Sequence, residues 1–318
     1  MQVLALGEVL IDMLGTPTTD PDAPTAQIFQ PFAGGAPANV AVAVAKLGGH
    51  SALISKVGND QFGRFLTNTL NTYQVDTQYV HTSEAKTALA FVSLDKDGER
   101  SFDFYLENAA HTQISSADTD AVEISDSTLI HLCSGSFSLP LLCQSAQALI
   151  ARARQQHSLL CMDINYRPAF WSDDTATIAQ RIFEAAAQMH IIKASFDELE
   201  LLYGARWESV IEQWLAQEVQ LVLLTNGPQP VRYYTRDYNG QCDVPATTVK
   251  DTTAAGDAFI GGFLYSLGQA LPRSAQFNQW VTDRPSLLSA LSFAMQCGAH
   301  TVTRFGAFEA LPGTQDIN

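Results

Sequence analysis

DTTAAGDAFIGGF, residues 251–263, sets two alanines and a glycine ahead of one acid, Asp257, with an apolar helical pattern behind it. Small residues let a backbone come close to a ligand, and the first N–H groups of a helix have no partners inside it. Such a helix start is a place where anions bind. Asp257 in the first turn would stand beside a held phosphate. A carboxylate there is repelled unless it has a task, such as taking a proton from an attacking hydroxyl. The plainer reading is that Asp257 complements the helix dipole. Gly261 and Gly262 weigh toward function, because glycines are costly in an ordinary surface helix and point to tight packing.

Around this stretch, short apolar runs recur: VLAL, SALISKV, TLIHLCS, LLCMDIN, HIIKAS and LVLLTNG. Helical patterns lie between several of them, including 139–156 and 175–189. Strands apolar on both sides and alternating with helices predict a parallel sheet covered on both faces, an α/β fold. Two regions break the alternation. Residues 12–33 are rich in Thr, Pro and Asp, and 87–106 read as a hairpin turning at DKDGER; both are expected to leave the main sheet. The chain has 318 residues and a net charge of −15, from 33 acids against 18 bases. That balance argues against a nucleic-acid or anionic-membrane surface and favours a small-molecule partner. No stretch reaches the roughly 18 apolar residues of a membrane span. The N-terminus has no basic segment and reads as a buried strand rather than a signal peptide. Five cysteines with no CxxC pair read as reduced core thiols, and a cytoplasmic location is expected.

The second notable stretch is FAGGAPANVAVAVAKLGG, residues 32–49. Gly34 and Gly35 permit close backbone approach, Pro37 suits a first helical turn, and Asn39 is the lone polar side chain that follows. It reads either as a tight strand-to-helix turn with Asn39 bonding locally or as part of a binding site. The spacing is not GxGxxG, and no GxxxxGK[ST] loop is present.

The two stretches together resemble the N-terminal and C-terminal motifs of the ribokinase-like (PfkB) sugar kinases, and of these most the fructokinases. The likeness runs over nearly the whole chain, including VGNDQFGRFL and VTRFGAFEALP. It implies a Rossmann-type three-layer α/β/α sandwich as one domain over 1–318, with a small β lid from about 12–33 and 87–106. It implies transfer of the ATP γ-phosphoryl to a sugar hydroxyl, with Asp257 as catalytic base and Ala254, Ala255 and Gly256 as an anion hole. Asp12, Gly34, Gly35 and Asn39 match sugar-binding positions. MDINYRPAFW resembles the D-x-N-x-R segment of fructokinases and 2-keto-3-deoxygluconate kinases. There Asn165 would assist the phosphates, and Arg167 would hold a phosphate or a sugar oxygen, an exposed salt bridge being its plainer role. The family's N-x-x-E segment, tied to Mg²⁺ and phosphate, reads SFDE, with Ser195 for Asn and Glu198 kept. The nucleotide loop reads TNGPQP, keeping Thr225 and Gly227 but with Pro230 for the last glycine. Asp251 and Thr253, with 302–310, match a region that holds a monovalent cation such as K⁺ on backbone carbonyls.

The acceptor rests on ERSFDFYLENAAH, residues 99–111, where Leu106 stands in place of the resembling fructokinases' arginine. A buried sugar carboxylate would need that partner, so a neutral sugar is favoured. Fructose leads; ribose, a nucleoside or 2-keto-3-deoxygluconate follow, and a binding module without catalysis is the rival class. Tyr105 would pack on the sugar, Phe104 would fill the lid core, and His111 reads as a loop histidine. Exposed lid strand edges point to a homodimer.

Overall fold

The computed structural model describes residues 1–17, 27–94 and 100–317. The chain opens with β1 (Gln2–Leu6), whose VLAL core is apolar on both faces and buried, and continues into β2 (Leu10–Pro17) and β3 (Gln27–Gly34). Helix α1 (Ala36–Lys46) follows with Pro37 in its first turn, then β4 (Ser51–Gly58) and α2 (Gln61–Thr72), capped by Asp60 through Gly63 N–H. Next come β5 (Val80–Ser83), β6 (Leu89–Leu94), β7 (Arg100–Tyr105) and the short α3 (Ser116–Asp120). Strand–helix alternation then sets in, with two helices before the last strand of the run. It runs β8 (Thr128–Cys133), α4 (Pro140–Gln155), β9 (Leu159–Asp163), α5 (Thr175–Ala186), β10 (Ile191–Ser195), α6 (Phe196–Tyr203), α7 (Trp207–Leu215) and β11 (Leu221–Asn226). The last elements are β12 (Gln229–Thr235), β13 (Asn239–Cys242), α8 (Ala255–Ala270), α9 (Phe277–Thr282) and α10 (Arg284–Thr301).

Nine strands form one sheet in the order β13-β12-β11-β10-β9-β8-β1-β4-β5. From β11 to β5 every pairing is parallel, with Leu4 of β1 facing Ile130 on one side and Ala52 on the other. The six apolar runs read from sequence are six of these strands. Strands β12 and β13 add an antiparallel edge that the alternation did not signal. Leu4, Leu6, Ile130, Leu160 and Ile192 point to one face, against residues of α4, α5, α6 and α7. Val3, Leu129, Cys161, Ile191 and Leu223 point to the other, against α8, α9 and α10, while Ala5 and Leu53 pack on α1. This is the doubly covered sandwich expected of two-sided apolar strands.

The chain leaves β1 toward β4 and β5 on one side and toward β8 through β11 on the other. The carboxyl ends of β1 and β8 therefore border a topological switch point, the crevice where open α/β sheets bind ligands. Beside it stands a separate four-stranded sheet in the order β3-β2-β6-β7, built from the two regions that broke the alternation. Ile11 pairs with Ala33 and Leu89, and Leu89 with Tyr105. Segments 18–26 and 95–99, which include most of the expected DKDGER turn, lie outside the described residues.

Helix α8 is held on two sides by its glycines. A Cβ on Gly261 would stand 2.6 Å from Cβ of Ala43 in α1, and one on Gly262 would stand 2.7 Å from Sγ of Cys297 in α10. The packing inferred from these glycines is what the fold contains.

Candidate active site

Helix α8 starts at the crevice. Ala254, its N-cap residue, adopts the left-handed conformation at φ 58°, which turns the chain into the helix without a side-chain cap. The backbone N–H of Ala255 donates weakly to Thr252 O at 3.3 Å, and Asp257 follows in the first turn, 7% exposed. The sequence treated Asn39 and Asn165 as members of separate motifs, but both reach Asp257. Asn39 Nδ2 donates to Asp257 Oδ2 at 2.7 Å and Asn165 Nδ2 to Oδ1 at 3.3 Å. Burial raises the Asp257 pKa to about 6, the Asp163 charge adds to this, and the Asn39 bond, Lys193 and Arg167 oppose it. A carboxyl so poised is ionised at neutral pH and can still accept a proton.

These groups line a cleft of about 800 Å³ with Asp12, Gly35, Ser195, Glu198, Thr225, Asp251, Thr253, Ala254, Ala255 and Gly256. Gly34 shapes it indirectly, because a Cβ there would come within 2.3 Å of Asp12 Oδ2. Gly35 takes φ 106°, and its missing Cβ leaves room for the Glu8 carbonyl oxygen. Gly227, at φ 51°, makes the tight turn from β11 to β12 and is not part of the cleft wall. Ser195 Oγ accepts from Glu198 N–H, and Glu198 returns a bond to Ser195 N–H at 2.8 Å. The S-x-x-E stretch is thus a capping box for α6. Glu198 also accepts from Tyr166 N–H at 3.0 Å and lies 3.9 Å from Arg167, whose side chain is half exposed. Burial raises the Glu198 pKa, with Lys193 opposing. Asp251 ties two loops together, Oδ1 accepting from Thr253 N–H and Oδ2 from Gly306 N–H at 3.0 Å.

One placement corrects the sequence reading. Tyr105 is 64% exposed and packs edge-on against Phe91, away from the cleft, whereas Phe104 lines it in edge contact with Phe170. Successive strand residues face opposite ways, so the phase of β7 turns Phe104, and not Tyr105, toward the cleft. Two groups, Lys193 and Glu8, escaped notice. Lys193, 5% exposed at its side chain, donates to the fully buried Asp163 at 2.9 Å, directly behind Gly256. Burial would discharge this lysine, but the Asp163 carboxylate outweighs it and holds the ammonium above its ordinary pKa. One charge amid the apolar run HIIKAS was the available signal. Glu8 is 6% exposed at the start of the crevice. His111 is buried, and burial lowers its pKa to about 4, which leaves the ring neutral. Both Glu8 and His111 line a second cavity of about 410 Å³ that shares Phe104 and Phe170 with the cleft.

Among the described residues no helix is long and apolar enough to cross a membrane. Residues 1–313 match the pfkB family of carbohydrate kinases. Fructokinase-1 of Oryza sativa subsp. japonica is 38% identical over 324 residues, covering 99% of this chain and 96% of that one. A fructokinase with bound ATP from Xylella fastidiosa superposes with a TM-score of 0.89 at 35% identity, covering 99% and 96% of the two chains. A fructokinase double mutant from Vibrio cholerae O395, in fructose-, ADP- and potassium-ion-bound form, gives 0.86 at 30% identity with the same coverage. A buried carboxylate at a helix start, at the switch point of a ribokinase-type sheet, in a chain matched along almost its full length, identifies this protein as a member of the pfkB family of carbohydrate kinases, a phosphotransferase acting on a sugar hydroxyl.

Proposed function

We propose that the acceptor is fructose and that Asp257 is the base that takes the proton from its primary hydroxyl as that oxygen attacks the ATP γ-phosphorus. The observation that carries the mechanism is the pair of asparagine amides on Asp257, which orient its carboxylate, the Asn39 bond also favouring the ionised form. The backbone N–H groups of Ala254, Ala255 and Gly256 would receive the charge that develops on the phosphoryl oxygens, with the Lys193 ammonium behind them. Asp12 and Asn39 would hold the sugar hydroxyls and Arg167 an oxygen of sugar or phosphate. Thr225 and Gly227 would border the nucleotide. Fructose is supported by the similar fructokinases and by Leu106, which leaves no arginine there for an acid sugar.

The cleft carries five carboxylates, Glu8, Asp12, Glu198, Asp251 and Asp257, against Arg167, Lys193 and Lys250. A polyphosphate entering so acidic a cleft needs a cation with it. No group of three or more metal-ligating side chains occurs among the described residues, which suits Mg²⁺ arriving on the nucleotide and keeping most of its waters. Glu198 and Asn165 are the residues that would hold it, and it would supply charge neutralisation at the phosphates. K⁺ is proposed on backbone carbonyls of the two loops that Asp251 joins. The second sheet is proposed to close as a lid and exclude water from the transfer. Its exposed Ile28, Phe29 and Tyr105 are proposed to pack on a second copy of the chain. Five free cysteines, three of them buried, suit a reducing compartment such as the cytoplasm.

The second cavity supports a second reading, in which the acceptor carries a substituent, as a nucleoside does. Its walls are chiefly apolar, and His111 Nδ1 and Trp171 Nε1 are buried there with no hydrogen-bond partner among the described residues. ADP release with Mg-ATP and K⁺ across fructose, ribose, 2-keto-3-deoxygluconate and nucleosides tests both. Fructose-dependent turnover lost about 10²–10⁴-fold in Asp257→Asn is the expected result. Turnover on nucleosides alone would overturn fructose and keep the kinase.

A further inference from the structure

Glu8 stands where β1 enters the crevice and borders both the cleft and the second cavity. Its Oε1 accepts from the backbone N–H of Ala36, the first residue of α1, at 3.3 Å. Its Oε2 lies 4.0 Å from the point that a Cβ on Gly135 would occupy, on the same wall that the Phe170 ring approaches to 2.9 Å. No side chain among the described residues donates a hydrogen bond to Glu8. Burial raises its pKa to about 7, with the Ala36 and Glu8 N–H groups and Arg167 opposing and the Asp257 charge adding.

Support of the α1 N-terminus accounts for one oxygen only. Helix starts are ordinarily capped by a short Ser, Thr, Asp or Asn at the N-cap position, whereas Glu8 reaches from 28 residues away. The other donor to this carboxylate is its own backbone N–H, no side chain among the described residues joins them, and Oε2 lies beside Gly135 on the wall of the second cavity, where a ligand hydroxyl can donate to it.

We propose that Glu8 is an acceptor-specificity residue, whose Oε2 accepts a hydrogen bond from a sugar hydroxyl other than the one phosphorylated. The proposal rests on the sugar-kinase reading of the cleft and adds that a hydroxyl is required at one further position of the acceptor. A site built to bond a hydroxyl discriminates strongly against an analogue that lacks it, because the buried group is left unpaired.

The test uses acceptors in which each non-reacting hydroxyl in turn is replaced by fluorine, assayed as kcat/KM at pH 8, where Glu8 is ionised. Fluorine has no proton to donate, so at one position the wild type is expected to prefer the hydroxyl by about 10- to 100-fold. Glu8→Gln changes the sense of that contact. Its carbonyl oxygen must serve Ala36 N–H, since an NH₂ group cannot accept, and the NH₂ then faces the sugar, donating to a hydroxyl oxygen or weakly to fluorine, without the charge-assisted bond that the carboxylate accepts from a hydroxyl. The preference is expected to shrink to about threefold or less in this near-isosteric variant, which a merely structural role would not bring about. Wild-type ratios below about threefold at every position, or a ratio unchanged in Glu8→Gln, would overturn the proposal. If fructose gives no turnover, the fructose reading falls separately, and the ratios are read on whichever sugar is phosphorylated.

Discussion

Asn39 donates to Asp257 across 218 residues of sequence, at 2.7 Å, and so joins the first turns of α1 and α8. The bond favours the ionised carboxylate and holds down a pKa that burial has raised to about 6. Removing it in Asn39→Ala raises that pKa further. A base works only when deprotonated, so the acid limb of the kcat–pH profile should move to higher pH, with kcat near neutrality falling by about 10-fold or more. Steady-state kinetics between pH 5 and 9 check this, and an acid limb that stays in place would remove Asp257 as the titrating base.

Lys193 and Asp163 form a buried ion pair whose partners cannot be separated cheaply. Lys193→Met leaves a carboxylate without its cation and should cost about 3–5 kcal/mol of stability, read as a lower denaturant midpoint. Adding Asp163→Asn to that variant should restore much of the loss, because the stranded charge is gone. A double variant no more stable than the single one would show that packing, not charge, carries the effect.

Gly34→Ala should raise the sugar KM by about 10-fold while leaving the ATP KM within about twofold, because the atoms nearest the new methyl are those of the Asp12 carboxylate, which it displaces. Equal rises in both constants would mean that the strand itself had shifted.

Ala254 holds a left-handed backbone conformation at φ 58° that favours glycine. Relief of about 1–2 kcal/mol of strain in Ala254→Gly exceeds the added entropy of the unfolded chain, leaving a gain of about 0.5 kcal/mol. Calorimetry should show a Tm higher by about 1 °C, and a lower Tm would refute it.

The six parallel strands and the two glycine-bearing helix starts were legible because their signals are local: apolar runs, small residues, a single acid. What brought Asn39, Asn165 and Asp257 to one point was not local, since strand order decides which carboxyl ends are neighbours. Ser195 and Glu198 carried a capping-box spacing that the metal interpretation obscured. Tyr105 and Phe104 could not be assigned without the phase of β7, which depends on which face the second sheet turns inward. Glu8 and Lys193 sat beside or within strands and read as part of them; only the closed fold shows that both face the cleft.

Gly261 lets α8 sit directly against Ala43 and the Val40 carbonyl of α1, so the distance from Asn39 to Asp257 is set by helix packing, with Gly262 seated on Cys297 of α10 behind it. Catalytic alignment is therefore settled during folding, before any substrate arrives, and little reorganisation is left for the chemical step. A methyl group added at Gly261, in the body of α8 beyond the cleft wall, would widen that spacing and appear as a slower enzyme whose substrates still bind.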